Sequence, residues 1–220
     1  MSLLDKIVST FAPYDCLGCG IEGSLLCGDC LALFGQLPER CYRCRKLSPG
    51  NKTCSSCRSS SVLRVVEAST TYEFIAKELV WQLKFQGAQA AANQIAQCMA
   101  PLLSTEGVVL VHVPTASSRV RQRGYDQAML IAKALSRQTG LPHRTLLGRL
   151  GQHHQVGMGR EQRVTQLAKA FRVLRPGSVA GKHIVLIDDV LTTGATVEAA
   201  ARALKAAGAK HVDALVFAQV

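Results

Sequence analysis

The sequence predicts an α/β protein in which a mostly parallel sheet, covered by helices on both faces, follows a small cysteine-rich unit. Two observations support this prediction. From residue 62 onwards, short apolar runs alternate with longer amphipathic segments, an order typical of parallel sheets. Eight of the nine cysteines lie within residues 16–57, a stretch too short to build a large core of its own. Because "CRSSSV" resembles a short linker, we expect two domains, residues 1–58 and 59–220.

The cysteine-rich unit contains four C-x-x-C pairs, and each such turn points two thiolates at one centre. Two pairs complete a closed tetrahedral zinc site. In a secreted protein the same number of cysteines would predict disulfides, but nothing in the sequence indicates secretion. We therefore predict two structural Zn²⁺ sites, a double zinc ribbon. The short linkers favour sequential pairing, and a crossed arrangement is the alternative. The predicted ligands are Cys16, Cys19, Cys27 and Cys30 in one site and Cys41, Cys44, Cys54 and Cys57 in the other.

The larger domain is predicted to begin with a strand over 62–72 and an amphipathic helix over 74–87, which Gly87 ends. Trp81 is expected on the buried face of this helix. A second helix is predicted over 88–103, and a buried strand over 107–114 stops at a proline. The remaining predictions are a helix over 126–140, a short strand near 143–148, a polar segment over 151–166, strands over 170–174 and 183–189, a helix over 195–209 and a strand over 211–220.

All of the excess positive charge lies in one part of the chain. The formal net charge is +11, and residues 112–182 contain thirteen Lys or Arg residues against two acidic ones. This concentration favours an anionic ligand, either small phosphates or a nucleic-acid backbone, over a merely solvated surface. No apolar run reaches the roughly 18 residues that cross a bilayer, and the first residues lack the features of a signal peptide. We expect a cytoplasmic protein without membrane insertion.

The stretch "IVLIDDVLTTGAT", residues 184–196, places two aspartates at the end of a predicted buried strand. Asp188 and Asp189 can accept hydrogen bonds from neighbouring hydroxyls or lie near a hydrated Mg²⁺. The following loop combines backbone N–H groups, the start of a helix and threonine hydroxyls, which together suit a phosphate. Gly194 lets the backbone approach that anion closely. This pattern describes a ribose 5-phosphate site, and the alternative is simple helix capping beside an ordinary turn.

The same stretch resembles the phosphoribosyl diphosphate (PRPP) signature of type I phosphoribosyltransferases. Three further parts of the chain narrow the resemblance to the ComF family: "HVPTASSRVRQRGYDQAMLIAKAL" (112–135), "QVGMGREQRVTQLAKAFRV" (155–173) and the cysteine-rich N-terminus. This family includes the ComFC proteins of bacterial natural transformation. The resemblance covers nearly the whole chain and implies the type I phosphoribosyltransferase fold, with PRPP and Mg²⁺ as ligands.

The resemblance also implies roles for individual residues. The aspartates would bind the ribose hydroxyls, the threonine loop the 5-phosphate, and the loop after the 107–113 strand the pyrophosphate. Segment 151–166, with Arg160 and Arg163, matches a loop that closes over the reactants. The residues implied to bind PRPP are Lys84, Pro114, Thr115, Arg119, Asp188, Asp189, Val190, Leu191, Thr192, Thr193, Gly194, Ala195 and Thr196. The residues implied in catalysis are Arg121, Arg123, Asp188 and Asp189.

One departure from the family pattern bears on catalysis. Asp126 stands where the family usually has Asn, and it adds negative charge near the expected pyrophosphate pocket. The sequence shows parts for binding PRPP and stabilising its leaving group, but no recognisable pocket for a base.

Two functions therefore stay open. The first is a Mg²⁺-dependent phosphoribosyltransferase with an unidentified acceptor. The second, which the resemblance implies, is a non-catalytic factor that handles single-stranded DNA during DNA uptake, keeps the PRPP site and has a helicase-like competence protein as partner. Few aromatic residues interleave with the arginines, so the sequence gives little support to a surface on which single-stranded bases stack.

Overall fold

The computed structural model describes residues 14–34, 37–103, 107–150 and 170–220. Its strands are β1 (Val66–Thr71), β2 (Val108–His112), β3 (Leu147–Arg149), β4 (Phe171–Val173), β5 (His183–Leu191) and β6 (His211–Gln219). Its α-helices are α1 (Gly28–Ala32), α2 (Ser55–Arg58), α3 (Phe74–Phe85), α4 (Ala91–Met99), α5 (Ser117–Arg123), α6 (Gln127–Thr139) and α7 (Ala195–Ala206). Short 3₁₀ turns lie at Pro49–Asn51, Ala100–Leu102 and Pro176–Ser178.

Within the described ranges, the main sheet has four parallel strands in the order β1-β6-β5-β2. Strand β5 lies inside the sheet and is apolar on both faces, as expected where helices cover both. Its side chains alternate between two cores: Val185 and Ile187 pack with α3, α4 and α6, whereas Ile184 and Leu186 pack with α7. This confirms the predicted parallel sheet with helices on both faces and brings the carboxyl ends of all four strands to one edge.

Helix α6 illustrates how closely local sequence predicted the larger elements. Asp126 caps its N-terminus by accepting from the Met129 N–H, and Gly140 ends it in the left-handed conformation that a side chain would disfavour. Ile131 and Leu135 on one face are fully buried. Among the described residues, no helix is both long and apolar enough to span a bilayer.

Three predictions about local structure were wrong or incomplete. The segment after β2 contains a helix, α5, where only a loop was expected. The strands predicted near 143–148 and over 170–174, β3 and β4, pair antiparallel in a separate two-stranded sheet and do not belong to the parallel sheet. Trp81 is 41% exposed instead of buried, because α3 turns Ala76, Leu79, Val80 and Leu83 towards the core.

Candidate functional site

The two aspartates lie near the end of β5, which continues two residues beyond them. Neighbouring residues of a strand point to opposite faces of the sheet, so adjacent carboxylates need not face each other. Asp189 is 4% exposed and accepts a hydrogen bond at 2.9 Å from Nζ of Lys84 on α3. Its second oxygen, Oδ2, is buried without a hydrogen-bond partner among the described residues. A buried acceptor in this state is costly, and a ligand that donates a hydrogen bond would relieve the cost.

Asp188 is partly buried and accepts a hydrogen bond at 2.9 Å from the backbone N–H of Asp189. Burial, followed by the negative charge of Asp189, raises the pKa of Asp188 to about 8. A carboxyl group that is reluctant to ionise gains from any cation or hydrogen-bond donor placed beside it. The pair is therefore one acceptor that is hydrogen-bonded to a lysine and a second acceptor whose charge depends on what binds.

The loop between β5 and α7 has the features of an anion-binding turn. Gly194 is the N-cap of α7, with a positive φ of 75°. Thr192 and Thr193 are exposed, and Thr193 Oγ1 accepts a long hydrogen bond of 3.4 Å from the N–H of Ala195. Free backbone N–H groups at the start of a twelve-residue helix attract negative charge through the helix dipole.

A second loop meets this edge of the sheet after β2. The side chain of Asp126 accepts hydrogen bonds from the N–H and the hydroxyl of Thr115, at 2.8 and 3.2 Å. The same carboxylate caps α6. Pro114 is buried, and its carbonyl oxygen accepts from Arg149 at 3.3 Å. Asp126 therefore holds the loop to the helix, a role in which both carboxylate oxygens are used.

The predicted arginines lie on α5, beside this loop. Arg119 and Arg121 are exposed. Arg123 is half-buried: its guanidinium donates to Gln127 at 2.9 Å and lies 5.2 Å from the centre of the Phe85 ring. The structure thus pairs Lys84 with Asp189 but shows no contact between these arginines and the aspartates within the described residues. Arg160 and Arg163, predicted in the closing loop, lie outside the described residues.

Arg149 was not predicted, although it lies at this site. Its side chain is half-buried, with the guanidinium 5.3 Å from the centre of the Phe171 ring. Burial lowers its pKa, the nearby Asp188 raises it and Arg119 lowers it, so the guanidinium lies within reach of both charges. The position at the end of a short strand before a polar segment is the signal that would have selected it. Its contact with the loop after β2 depends on the tertiary fold.

The eight predicted cysteine ligands form two clusters, and both follow the sequential pairing and not the crossed one. Within each cluster the four Sγ atoms lie within 4.8 Å of one another. Cys19 and Cys27 have sulfurs 3.7 Å apart, and those of Cys44 and Cys54 are 3.6 Å apart. A tetrahedral site with Zn–S bonds of about 2.3 Å has sulfur–sulfur edges of about 3.8 Å. Four thiolates at this spacing fit Zn²⁺, and all nine cysteines are free of disulfide bonds.

Comparison with known proteins supports the sequence predictions. Residues 126–220 match the phosphoribosyl transferase domain. The chain is 30% identical over 175 residues to competence protein ComFC of Bacillus subtilis, covering 74% of this chain and 70% of that protein. It is 28% identical over 196 residues to ComFC of Streptococcus pneumoniae, covering 87% and 86%. It is 32% identical over 152 residues to DNA utilization protein YhgH of Salmonella typhi, covering 61% and 63%. The predicted phosphoribosyltransferase fold is confirmed.

Proposed function

The chain belongs to the ComF family, and we propose that it binds PRPP at the carboxyl end of β5 and acts in the handling of DNA during uptake or use. One observation carries the first part. The buried Asp189 Oδ2, which has no hydrogen-bond partner among the described residues, lies near the end of the strand that leads into a helix N-terminus suited to a phosphate. This is the arrangement that a ribose 5-phosphate requires, because its hydroxyls donate hydrogen bonds and its phosphate accepts them. The names of the ComFC and YhgH relatives support the second part.

In this proposal, each end of PRPP meets a different loop. Asp188 and Asp189 accept from the ribose hydroxyls, and residues 190–196 surround the 5-phosphate. The backbone of Pro114 and Thr115, with Arg119, Arg121 and Arg123, faces the pyrophosphate. The oxygen atoms of the aspartates also suit Mg²⁺, which would neutralise the pyrophosphate when bound with PRPP. Lys84 acts indirectly, by donating a hydrogen bond to Asp189.

We further propose that both cysteine clusters bind zinc and that residues 1–58 form a double zinc ribbon attached to the domain of residues 59–220. The support is the fit of both sulfur sets to a tetrahedral site. Such closed sites stabilise a short segment instead of catalysing. Eight thiols kept free as metal ligands suit a reducing compartment, which favours the cytoplasm.

Calorimetric titration of PRPP with Mg²⁺ into the full chain tests the PRPP site. We expect saturable binding that is lost in the double variant Asp188→Asn, Asp189→Asn. A matched control removes two exposed acids from the cysteine-rich unit, Glu22→Gln and Asp29→Asn, and should bind like the wild type. Binding that survives in the first variant would exclude this site.

Whether the bound PRPP reacts is a separate question, which pyrophosphate release answers. The groups proposed to stabilise the leaving pyrophosphate are Arg121 and Arg123, together with the bound metal. Release that a candidate acceptor stimulates, and that falls in Arg121→Ala and Arg123→Ala, would assign transferase activity. PRPP binding without release for any acceptor would assign the non-catalytic function.

A specific observation favours DNA handling as a second function. Helix α3 carries Phe74, Lys77, Trp81 and Phe85 along one exposed face, so three aromatic rings and a lysine follow one another on the surface. The guanidinium of Arg123 lies over the Phe85 ring. Exposed aromatic rings beside cations form the kind of surface on which single-stranded bases stack. This face supports the proposal, because it places aromatic rings beside positive charges that lie far apart in the sequence.

Fluorescence anisotropy with a labelled oligothymidine measures this interaction. We expect an affinity that falls steeply with salt, with a smaller salt dependence in Arg119→Ala, Arg121→Ala and Arg123→Ala. Trp81→Ala and Phe85→Ala should each weaken binding by about tenfold, since stacking contributes about 1–3 kcal/mol per base. Leu174→Ala is a control at an exposed apolar residue elsewhere. Binding that does not depend on salt, or an equal loss of affinity in Leu174→Ala, would contradict a surface on which DNA bases stack. The exposed aromatic face of α3 would then be better explained as a protein-binding surface.

A further inference from the structure

We propose that the second cysteine cluster holds the phosphate-binding loop in position through Tyr42, so that metal binding by Cys41, Cys44, Cys54 and Cys57 governs affinity for PRPP. Tyr42 lies inside the first C-x-x-C turn of this cluster, yet it contacts the loop after β5. The inference rests on the proposed PRPP site, but its central contact belongs to the free protein. Tyr42 is thus a positioning residue that touches no ligand itself.

The first half of the contact is a close approach of ring and backbone. A Cβ atom at Gly194 would lie 2.7 Å from Cε2 and 2.9 Å from Cδ2 of Tyr42. No side chain fits in that space, so Gly194 is required here for packing as well as for its positive φ of 75°. Tyr42 is 4% exposed and belongs to the same core cluster as Leu191 and Val197, the residues on either side of the loop. The ring therefore belongs to the core that also buries the residues at both ends of the loop.

The second half is a buried hydrogen-bond network behind the loop. The Tyr42 hydroxyl donates to Glu198 Oε2 at 2.8 Å and lies 2.8 Å from the hydroxyl of Ser61. Glu198 is 8% exposed, and its other oxygen accepts from the N–H of Val62 at 3.1 Å. Its own backbone N–H donates to the carbonyl of Gly194 at 3.0 Å. One carboxylate in the first turn of α7 thus joins the loop to the cysteine-rich unit and to the segment that leads into β1.

This network depends on the metal cluster because Tyr42 has little freedom once its neighbours bind a metal. Cys41 is fully buried and its N–H donates to the Lys46 carbonyl, while the Arg45 N–H donates back to Cys41. Zinc binding would fix the turn that carries the ring, and loss of zinc would free it. If the loop binds phosphate only in its ordered conformation, the apparent affinity falls in proportion to the population of that conformation.

The first cysteine cluster offers a natural comparison. It packs with the other core, on the face of the sheet that carries α3, α4 and α6. Gly18 approaches Ile75 and the side chain of Cys30, and among the described residues the four cysteines of this cluster make no hydrogen bond to residues 192–196. Disrupting it removes an equivalent metal site without touching the loop. The two clusters are therefore matched perturbations, and only the second should affect the loop.

Hydrogen exchange on the full chain without PRPP tests the contact directly. We expect the backbone amides of residues 192–199 to exchange about tenfold faster in Tyr42→Leu and in Cys44→Ser, through local opening. Cys19→Ser should leave them unchanged. Tyr42→Phe keeps the ring and loses the hydroxyl, so it should fall in between. Unchanged exchange at 192–199 in a folded Tyr42→Leu would overturn the proposal.

PRPP titration adds the functional readout. Tyr42→Leu and Cys44→Ser should weaken binding by about tenfold, within the range typical of coupled sites, and Cys19→Ser should not. Chelation of zinc should weaken PRPP binding by the wild type but cause little further loss in Tyr42→Leu. Chelation and the substitution are not additive because both disturb the same contact between Tyr42 and the loop. Equal losses in both cysteine variants would overturn the coupling in favour of general destabilisation. Absence of PRPP binding in the wild type would instead overturn the proposed function, while the exchange experiment still decides whether Tyr42 holds the loop.

Discussion

Lys84 donates a hydrogen bond from Nζ to Oδ1 of Asp189 at 2.9 Å, joining helix α3 to the end of strand β5 across the candidate site. The side chains are 19% and 6% exposed, so the pair is largely withdrawn from water. Two adjacent acids at a buried position are costly unless one of them has a cationic partner. Lys84 supplies that partner to Asp189, which explains how the chain tolerates two acids side by side.

Lys84→Met is expected to destabilise the folded protein by about 3 kcal/mol, because it leaves a buried carboxylate without its partner. Denaturant unfolding measures the change. Lys77→Met, on the exposed face of the same helix, is the control and should change stability by less than about 0.5 kcal/mol. In the double variant Lys84→Met, Asp189→Asn much of the loss should return. Simple addition of the two single losses would show that the ion pair contributes nothing of its own.

Two substitutions of Asp126 should separate its role as the N-cap of α6 from the effect of its negative charge. Asp126→Asn keeps one acceptor for the N-cap of α6 but replaces the oxygen that accepts from the Thr115 N–H with a donor, so it should cost about 1 kcal/mol. Asp126→Ala loses the cap as well and should cost about 2 kcal/mol. The first variant removes a negative charge near the proposed pyrophosphate site, so PRPP should bind more tightly to it. Thermal unfolding and calorimetric titration measure the two effects. Weaker PRPP binding in Asp126→Asn would mean that the charge itself assists the site.

The free energy of unfolding should fall in acid because of two histidines near the loop after β2. His112 Nδ1 and His143 Nε2 lie 3.0 Å apart; burial lowers the pKa of His143 to about 4 and also lowers that of His112. An unfolded histidine titrates near pH 6.5, so between about pH 6.5 and 4 the unfolded chain binds more protons than the folded one. The stability that the two neutral histidines give to the folded state is therefore complete above about pH 6.5 and is lost as the pH falls.

Denaturant unfolding from pH 7.5 to 4.5 checks this dependence. Carboxylates also contribute in acid, so the informative quantity is the difference between the wild type and His143→Gln. The variant should lose less stability than the wild type between pH 6.5 and 4.5. Parallel curves for the two proteins would show that His143 is not the titrating group.

Metal analysis of the purified chain should find two equivalents of zinc. Cys19→Ser and Cys44→Ser should each retain one, because the two sulfur sets share no ligand. Chelation should lower the unfolding temperature, since binding energy at such sites is also folding energy. A content well below two equivalents in the wild type would refute the double zinc ribbon.

Features formed by neighbours in the chain could be predicted well. Each C-x-x-C turn brings its own two sulfurs together, and linkers of this length leave little choice of partner. The caps of α6 at Asp126 and Gly140 are likewise local, and so is the order of aspartates, threonines and glycine before α7. Helix α5 was missed because "SSRVRQR" has too few apolar residues to show a helical period.

Contacts between segments far apart in the chain could not be predicted from local sequence. Trp81 was placed in the core on periodicity, but the rotation of α3 is set by what packs beneath it, and the stripe of Phe74, Trp81 and Phe85 faces solvent. Arg149 reaches the Pro114 carbonyl only because a separate two-stranded sheet brings it there. Sequence alone offers no signal for which strand exit a lone arginine will meet.

By itself, then, the sequence determined the residue sets on which the proposed ligands depend: two sets of thiolates for a metal, and an acidic pair with a threonine loop for a phosphorylated ribose. Both depend on residues a few positions apart, whose geometry the local backbone dictates. Only the tertiary structure decided that Lys84 contacts Asp189, that Arg149 contacts the loop after β2, and that Tyr42 of a cysteine cluster packs against Gly194. Those contacts join segments far apart in the chain, and they exist because parallel strands bring their ends to one edge while two cores fix what packs on either face.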